Sequence, residues 1–129
     1  RERDALGHVS TISGLRRWRD ALVQNNALRH GAYGCALGSL ASEVSDHDAL
    51  ARQALSHLFA EWQGLLTGVL HRLQDNGGLA PEVSVDQLAT GLMAALQGGY
   101  MLAQTARDVT PMATSIDMAL AHIESLSAG

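Results

Sequence analysis

The sequence predicts an all-α domain, and three observations support this class. Apolar residues recur at three- and four-residue spacing along most of the 129 residues. The chain has only two prolines and almost no runs of β-branched residues, which favours helices over strands. Because 47% of its residues are hydrophobic, it can bury a core of its own and is not expected to be disordered. We therefore expect a single helical domain over residues 1–129.

The first elements are a helix end at residues 1–6, stopped by Gly7, and a longer helix that Ser10, Thr11 or Ser13 can cap. The apolar stripe of the longer helix consists of Ile12, Leu15, Trp18 and Leu22. Glycines at 31, 34 and 38 predict a loop that leads into a short helix over residues 37–45. The chain begins without Met in a helical segment, so we expect it to be a fragment of a longer protein.

The clearest helix is predicted from residues 45–46 to the turn Asp75-Asn76-Gly77-Gly78, whose residue types end helices. One face of this helix is apolar and the other is polar. The apolar face consists of Leu55, Leu58, Phe59, Trp62, Leu65, Leu66, Val69 and Leu73.

The last two helices have more apolar surface than one small domain can cover. The first, over residues 85–105, is capped by Ser84 and keeps only a narrow polar strip, so it must be buried on more than one side. The second begins at Thr110-Pro111, since proline is favoured in the first turn. A second copy of the chain could cover the remaining surface in a four-helix interface.

Composition excludes several functions. The net charge is −4 and no basic stripe is present, so this chain is not expected to bind nucleic acid by itself. A single cysteine, Cys35, excludes an intrachain disulfide and fits the cytoplasm, and no apolar run is long enough for a membrane span. No metal or cofactor is expected, because Asp46-His47-Asp48 fits a helix start better than a metal site. No spacing suggests a nucleophile with its base, so we do not expect an enzyme.

Two segments resemble markers of the C-terminal half of TetR-type transcriptional regulators. They are Gly34-Cys35-Ala36-Leu37-Gly38-Ser39-Leu40-Ala41-Ser42-Glu43-Val44 and Leu96-Gln97-Gly98-Gly99-Tyr100. The first also resembles the LmrA- and YxaF-type subgroup. The resemblance implies a domain that binds a small apolar or amphipathic effector and forms a homodimer through its last two helices. DNA would be read, and repression exerted, through an N-terminal helix-turn-helix domain that this chain lacks.

The residues predicted to bind the effector are aromatic or apolar side chains and one amide, since ligand pockets are mostly apolar with a few polar groups. They are Trp18, Leu22, Phe59, Trp62, Leu66, Met93, Gln97 and Tyr100. For each aromatic residue, plain core packing is the alternative, and the Gln97 amide could equally satisfy the backbone.

The residues predicted for the dimer interface lie on the last two helices. They are Leu92, Gly98, Gly99, Leu102, Ile116, Leu120 and Ile123. Gly98 and Gly99 indicate a close helix contact, because glycine inside a helix costs about 1 kcal/mol against alanine. Two other functions stay open: a structural dimerisation module without a ligand, or a small helical enzyme.

Overall fold

A computed structural model describes residues 5–27 and 49–127 and contains four helices within those ranges. They are α1 (Ile12–Ala27), α2 (Ala49–Asp75), α3 (Val85–Ala106) and α4 (Thr110–Ser125). These ranges contain no strand, so the all-α prediction is confirmed. The short helix predicted over 37–45, Cys35 and the Asp46-His47-Asp48 cluster all lie outside the described residues. No described helix has the combination of length and apolarity that a membrane crossing requires.

The helix ends follow from local residue chemistry. The Thr11 hydroxyl oxygen accepts the Gly14 N–H at 3.0 Å at the start of α1, and the Ser84 oxygen accepts the Gln87 N–H at 3.3 Å at the start of α3. After α2, Gly77 adopts a φ of 82°, a left-handed conformation that glycine accepts without strain. At the start of α4, the Asp108 carboxylate accepts the Thr110 N–H at 2.9 Å, a role that residue spacing alone did not suggest.

The central element is α3, which packs against α2 on one side and α4 on the other, while α1 lies on α4. One core joins all four helices and the residues before α1. Its largest fully buried side chains are Leu6, Leu15, Leu66, Val69, Leu70, Leu79, Leu92, Leu96, Met112, Ile116, Leu120 and Ile123. The four helices therefore form one packed unit, and the interior side of α3 is in contact along its length.

Glycine at position 99 lets α3 and α4 approach closely within the chain. A Cβ atom added there would lie 3.0 Å from the Met112 Cα and 3.3 Å from the Ser115 Cβ. Both distances are shorter than an ordinary carbon–carbon contact of about 3.5–4.0 Å. The neighbouring Gly98 points elsewhere, because a Cβ added there would meet no atom within 4 Å.

Hydrogen bonds and ion pairs connect α1 and the residues before it to the other helices. Arg19 forms a two-bond ion pair with Asp117, at 2.7 and 2.9 Å, and Arg16 pairs with Glu124 in the same way at 2.7 and 2.6 Å. Because the earlier arginine meets the later acid, α1 and α4 run antiparallel. At the end of α2, the Arg72 guanidinium donates to the carbonyl oxygens of Val9 at 2.9 Å and Leu6 at 2.8 Å.

Candidate ligand face and outer groove

Three faces of α3 can be distinguished, because successive helical residues are rotated by about 100°. The first faces α4 and includes Gly99, which nearly touches the Met112 backbone. The second faces α2 and includes Thr90, whose hydroxyl oxygen accepts an N–H from the Gln63 amide at 3.0 Å. The third faces away from both helices. Each face has different neighbours, so each can have a different role.

The face of α3 toward α2, here called the ligand face, includes Thr90, Met93 and Gln97. Gln97 lies seven residues after Thr90, which is two turns or about 10.5 Å farther along the same side. The helices α2 and α3 run antiparallel, because Gln74 near the end of α2 donates to the Val83 carbonyl just before α3, whereas Gln63 donates to Thr90 inside α3. The part of α2 in register with Gln97 therefore lies two turns before Gln63. The residues flanking that position are Leu55, which is 5% exposed, and the half-buried Phe59. This register predicts that the part of α2 nearest to Gln97 is apolar.

The Gln97 amide is the unusual group of the ligand face. Its N–H group is directed at the Met93 sulfur, with an Nε2–Sδ distance of 3.9 Å. Its carbonyl oxygen is shielded from solvent and accepts no hydrogen bond from any residue that the structure describes. Buried amide oxygens are normally paired. An oxygen left in this state marks a position where a donor from a further group would be stabilised.

The predicted effector residues occupy two environments. Leu66, Met93 and Trp18 belong to the core, at 0%, 5% and 6% exposure. The others are half-buried, and the apolar ones pack against that core; they are Leu22, Phe59, Trp62, Gln97 and Tyr100. Trp18 also borders a separate hollow of about 500 Å³ between α1 and residues 5–11. The predicted effector residues on α2 and α3 thus lie on adjoining helices. Trp18, in contrast, lines a hollow that none of the other seven predicted residues borders.

The outward face of α3 and the adjacent side of α4 form a groove of about 740 Å³, here called the outer groove. Its floor on α3 includes two small residues, Gly91 and Ala95, and a Cβ added at Gly91 would meet no atom within 4 Å. The remaining lining residues are Val83, Ser84, Gln87, Leu88, Leu92, Ser115, Met118, Ala119, His122, Ile123 and Leu126. Met118 stands at this groove with 71% of its surface exposed.

Some of the residues predicted for the dimer interface are exposed in the single chain, whereas others are buried in its core. Leu102 is 57% exposed, and Gly98 is half-buried beside open space. Gly99 is buried against α4 of the same chain. The other four predicted side chains are at most 2% exposed within the single chain; they are Leu92, Ile116, Leu120 and Ile123.

Sequence reasoning missed most of the outer groove, including Gly91, Ala95, Met118 and His122. It selected the most apolar stripe of each helix, and that stripe is the one the chain buries in its own core. A signal was present in the spacing of Gly91, Ala95 and Gly98, since residues four and three apart lie on one helix face. Small residues at this spacing leave a shallow surface on which another helix can lie close.

The ionisable groups with altered pKa values lie at structural contacts. The hydrogen bond from Arg16 lowers the pKa of Glu124, and the backbone N–H of Thr110 lowers that of Asp108. Hydrogen bonds to Asp117 and Asp20 raise the pKa of Arg19. Within residues 5–27 and 49–127, no three histidine, aspartate, glutamate or cysteine side chains are grouped as metal ligands would be. The described part of the ligand face presents apolar side chains, the Thr90 hydroxyl and the Gln97 amide.

Comparison with known families gives a match over residues 12–119, to the family described as tetracyclin repressor-like, C-terminal domain. The match covers α1, α2, α3 and most of α4. Neither the curated proteins nor the solved structures gave a match to this chain. Domains of this family are typically the ligand-binding and dimerisation parts of transcription regulators, and they are generally not enzymes. Since the match extends over most of the chain and the helices agree with it, the chain belongs to the TetR-type C-terminal domain family.

Proposed function

We propose that this chain is the effector-sensing and dimerisation domain of a TetR-type transcriptional repressor. It forms a homodimer, binds a small apolar or amphipathic molecule, and controls DNA binding by an N-terminal domain outside residues 1–129. The observation that supports this most directly is the family match over residues 12–119, because domains of that family are typically the ligand-binding and dimerisation parts of regulators. As a transcription regulator, the protein acts in the cytoplasm.

The outer groove supports dimerisation by a second copy of the chain. Its small floor residues, Gly91 and Ala95, allow a helix to approach closely, and the exposed Met118 provides a side chain large enough to enter a groove of the partner. A twofold axis would place each Met118 opposite the other chain's groove, since such interfaces use the same surface twice. Leu102 extends the apolar surface along α3.

A pair of matched substitutions tests this interface. Met118→Glu places a charge at the outer groove, whereas Leu50→Glu places one on α2, at a residue outside the outer groove that is similarly exposed at 77%. We expect native mass spectrometry at micromolar concentration to show a dimer for the wild type and for Leu50→Glu, and a monomer for Met118→Glu. A buried unpaired charge is costly enough to separate the subunits. A monomeric wild type, or a Met118→Glu variant that stays dimeric, would contradict the proposed dimer interface at the outer groove.

Effector sensing is supported by the position of α3 between the two surfaces. Gln97 on the ligand face and Gly98, one turn beyond Ala95 on the outward face, are consecutive residues of one helix. A molecule that displaces α3 from α2 therefore also displaces the surface offered to the second subunit. Such a molecule changes DNA binding only to the extent that it binds one dimer geometry more tightly than the other.

The same native spectra test the sensing proposal. We expect the dimer purified from cells to retain an additional small-molecule mass that is lost on denaturation. A dimer that binds no small molecule, either from cells or from an added panel of apolar compounds, would instead support a structural dimerisation module.

A further inference from the structure

We propose that the effector has a neutral hydrogen-bond donor, a hydroxyl or an N–H group, which the carbonyl oxygen of Gln97 accepts. This inference rests on the proposed function, because it specifies the chemistry of the molecule that the ligand face binds. The observation behind it is a shielded amide oxygen on α3 that accepts no hydrogen bond from a described residue, while the N–H side of the same amide is directed at Met93.

The orientation of the Gln97 amide decides which kind of group it can bind. A thioether sulfur is only an acceptor, so the side of the amide directed at Met93 must be the N–H side. The carbonyl oxygen is then left for another group, and no described residue donates to it. An acceptor selects a donor, so a hydroxyl or N–H group of the ligand fits, whereas an ether or ester oxygen does not.

The neighbours of Gln97 indicate that this donor is uncharged. Within two turns of Gln97, the described residues on this side of α3 are Thr90, Met93, Tyr100, Met101 and Gln104, and the charged Asp86 lies about three turns away. By the register of the two helices, the nearest part of α2 presents Leu55 and Phe59. Apart from the distant Asp86, none of these described residues is charged, and Leu55 and Met93 are each 5% exposed. An ammonium or carboxylate placed among them would lose its hydration without gaining a partner of opposite charge from any neighbour that the structure describes. The remaining class is an apolar molecule with one neutral donor, such as a phenol or an alcohol.

Pairs of probes that differ only in this donor test the proposal. The pairs are phenol with anisole, 2-naphthol with 2-methoxynaphthalene, and 4-hydroxybiphenyl with 4-methoxybiphenyl, in order of increasing size. Each methyl ether keeps the ring system and removes the donor. Dissociation constants are measured by calorimetry on the wild-type chain, on Gln97→Met and on Gln24→Met. Gln24 is an exposed residue of α1, so its variant makes the same substitution away from the ligand face.

For the pair that fits best, we expect the wild type and Gln24→Met to bind the hydroxyl compound about tenfold more tightly than the ether. In Gln97→Met the two compounds should bind within about twofold of each other, because no acceptor remains to distinguish them. Equal binding of both members by the wild type, or a preference that persists in Gln97→Met, overturns the donor assignment while leaving the sensor proposal intact. If none of the six compounds binds, the ligand face does not accept apolar molecules, and the proposed function fails with the inference.

A measurement without ligand gives an independent test. If the Gln97 oxygen has no donor in the free protein, methionine removes an unpaired polar atom, and the thermal midpoint of Gln97→Met should equal or exceed that of the wild type. A clear drop in the midpoint, with Gln24→Met unchanged, would mean that the protein already supplies a donor, and the inference would be wrong.

Discussion

The contact between α3 and α4 at Gly99 can be tested with a single added methyl group. Gly99→Ala places a Cβ atom 3.0 Å from the Met112 Cα, which is a backbone atom and cannot rotate away. Further contacts at 3.3 Å to the Ser115 Cβ and 3.4 Å to the Met112 Cγ restrict the methyl group on its other sides. Accommodating it requires a small outward shift of α4 relative to α3.

Two opposing contributions determine the change in the free energy of unfolding. Alanine is favoured over glycine inside a helix by about 1 kcal/mol, whereas overpacking a well-filled contact costs about 1–3 kcal/mol. Gly64 isolates the first contribution, because it lies exposed in the middle of α2 and an added Cβ there meets no atom within 4 Å. We therefore expect Gly64→Ala to be more stable than the wild type by about 1 kcal/mol. Gly99→Ala should be less stable than Gly64→Ala by about 1–3 kcal/mol.

Urea unfolding followed by circular dichroism at 222 nm measures both variants. Protein concentration must be the same throughout, because the stability of a dimer depends on it. If Gly99→Ala gains as much stability as Gly64→Ala, then α3 and α4 do not approach as closely as the 3.0 Å distance indicates. Gly98→Ala should also gain stability in the single chain, so a weaker dimer in that variant alone would place Gly98 in the subunit interface.

Three further predictions concern polar contacts. Arg72→Ala removes the hydrogen bonds to the Leu6 and Val9 carbonyl oxygens, so the free energy of unfolding should fall by on the order of 2 kcal/mol and amide hydrogen exchange in residues 5–10 should be faster. The exposed neighbour His71 provides the control, since His71→Ala should change neither quantity. A double-mutant cycle on Arg19 and Asp117, which are 22% and 47% exposed, should give a coupling energy of about 0.5–1 kcal/mol, and a value near zero would show that the ion pair does not stabilise the α1–α4 contact. The hydrogen bond from Arg16 holds the pKa of Glu124 in the folded protein below its value in the unfolded chain. The stabilisation that ionised Glu124 gives the folded state is therefore present above about pH 4.3 and is lost as the pH falls through the folded pKa. Urea midpoints measured from pH 6 to pH 3 should therefore fall less steeply for Glu124→Gln than for the wild type or for exposed Glu82→Gln, and identical slopes would contradict the contact.

The helices and their ends could be predicted from the sequence because they depend on local chemistry. Thr11, Ser84 and the turn at Gly77 act within three or four residues of the groups they satisfy, so their effect is readable along the chain. The apolar character of α3 around most of its circumference likewise predicted contacts on more than one side, and α3 does lie between α2 and α4. The sequence also identified Gln97 as one of the amides in the polar strip of that helix.

The direction in which each apolar stripe faces was decided by the tertiary structure. A period of 3.6 residues shows that Ile116, Leu120 and Ile123 share a side of α4, but not whether that side meets α3 or a second chain. Packing to high density within the chain placed these three in its own core and left Met118 outside. The bonds from Arg72 to the Leu6 and Val9 carbonyls were equally invisible in the sequence, because every residue has a backbone carbonyl and only the folded chain brings these two within reach.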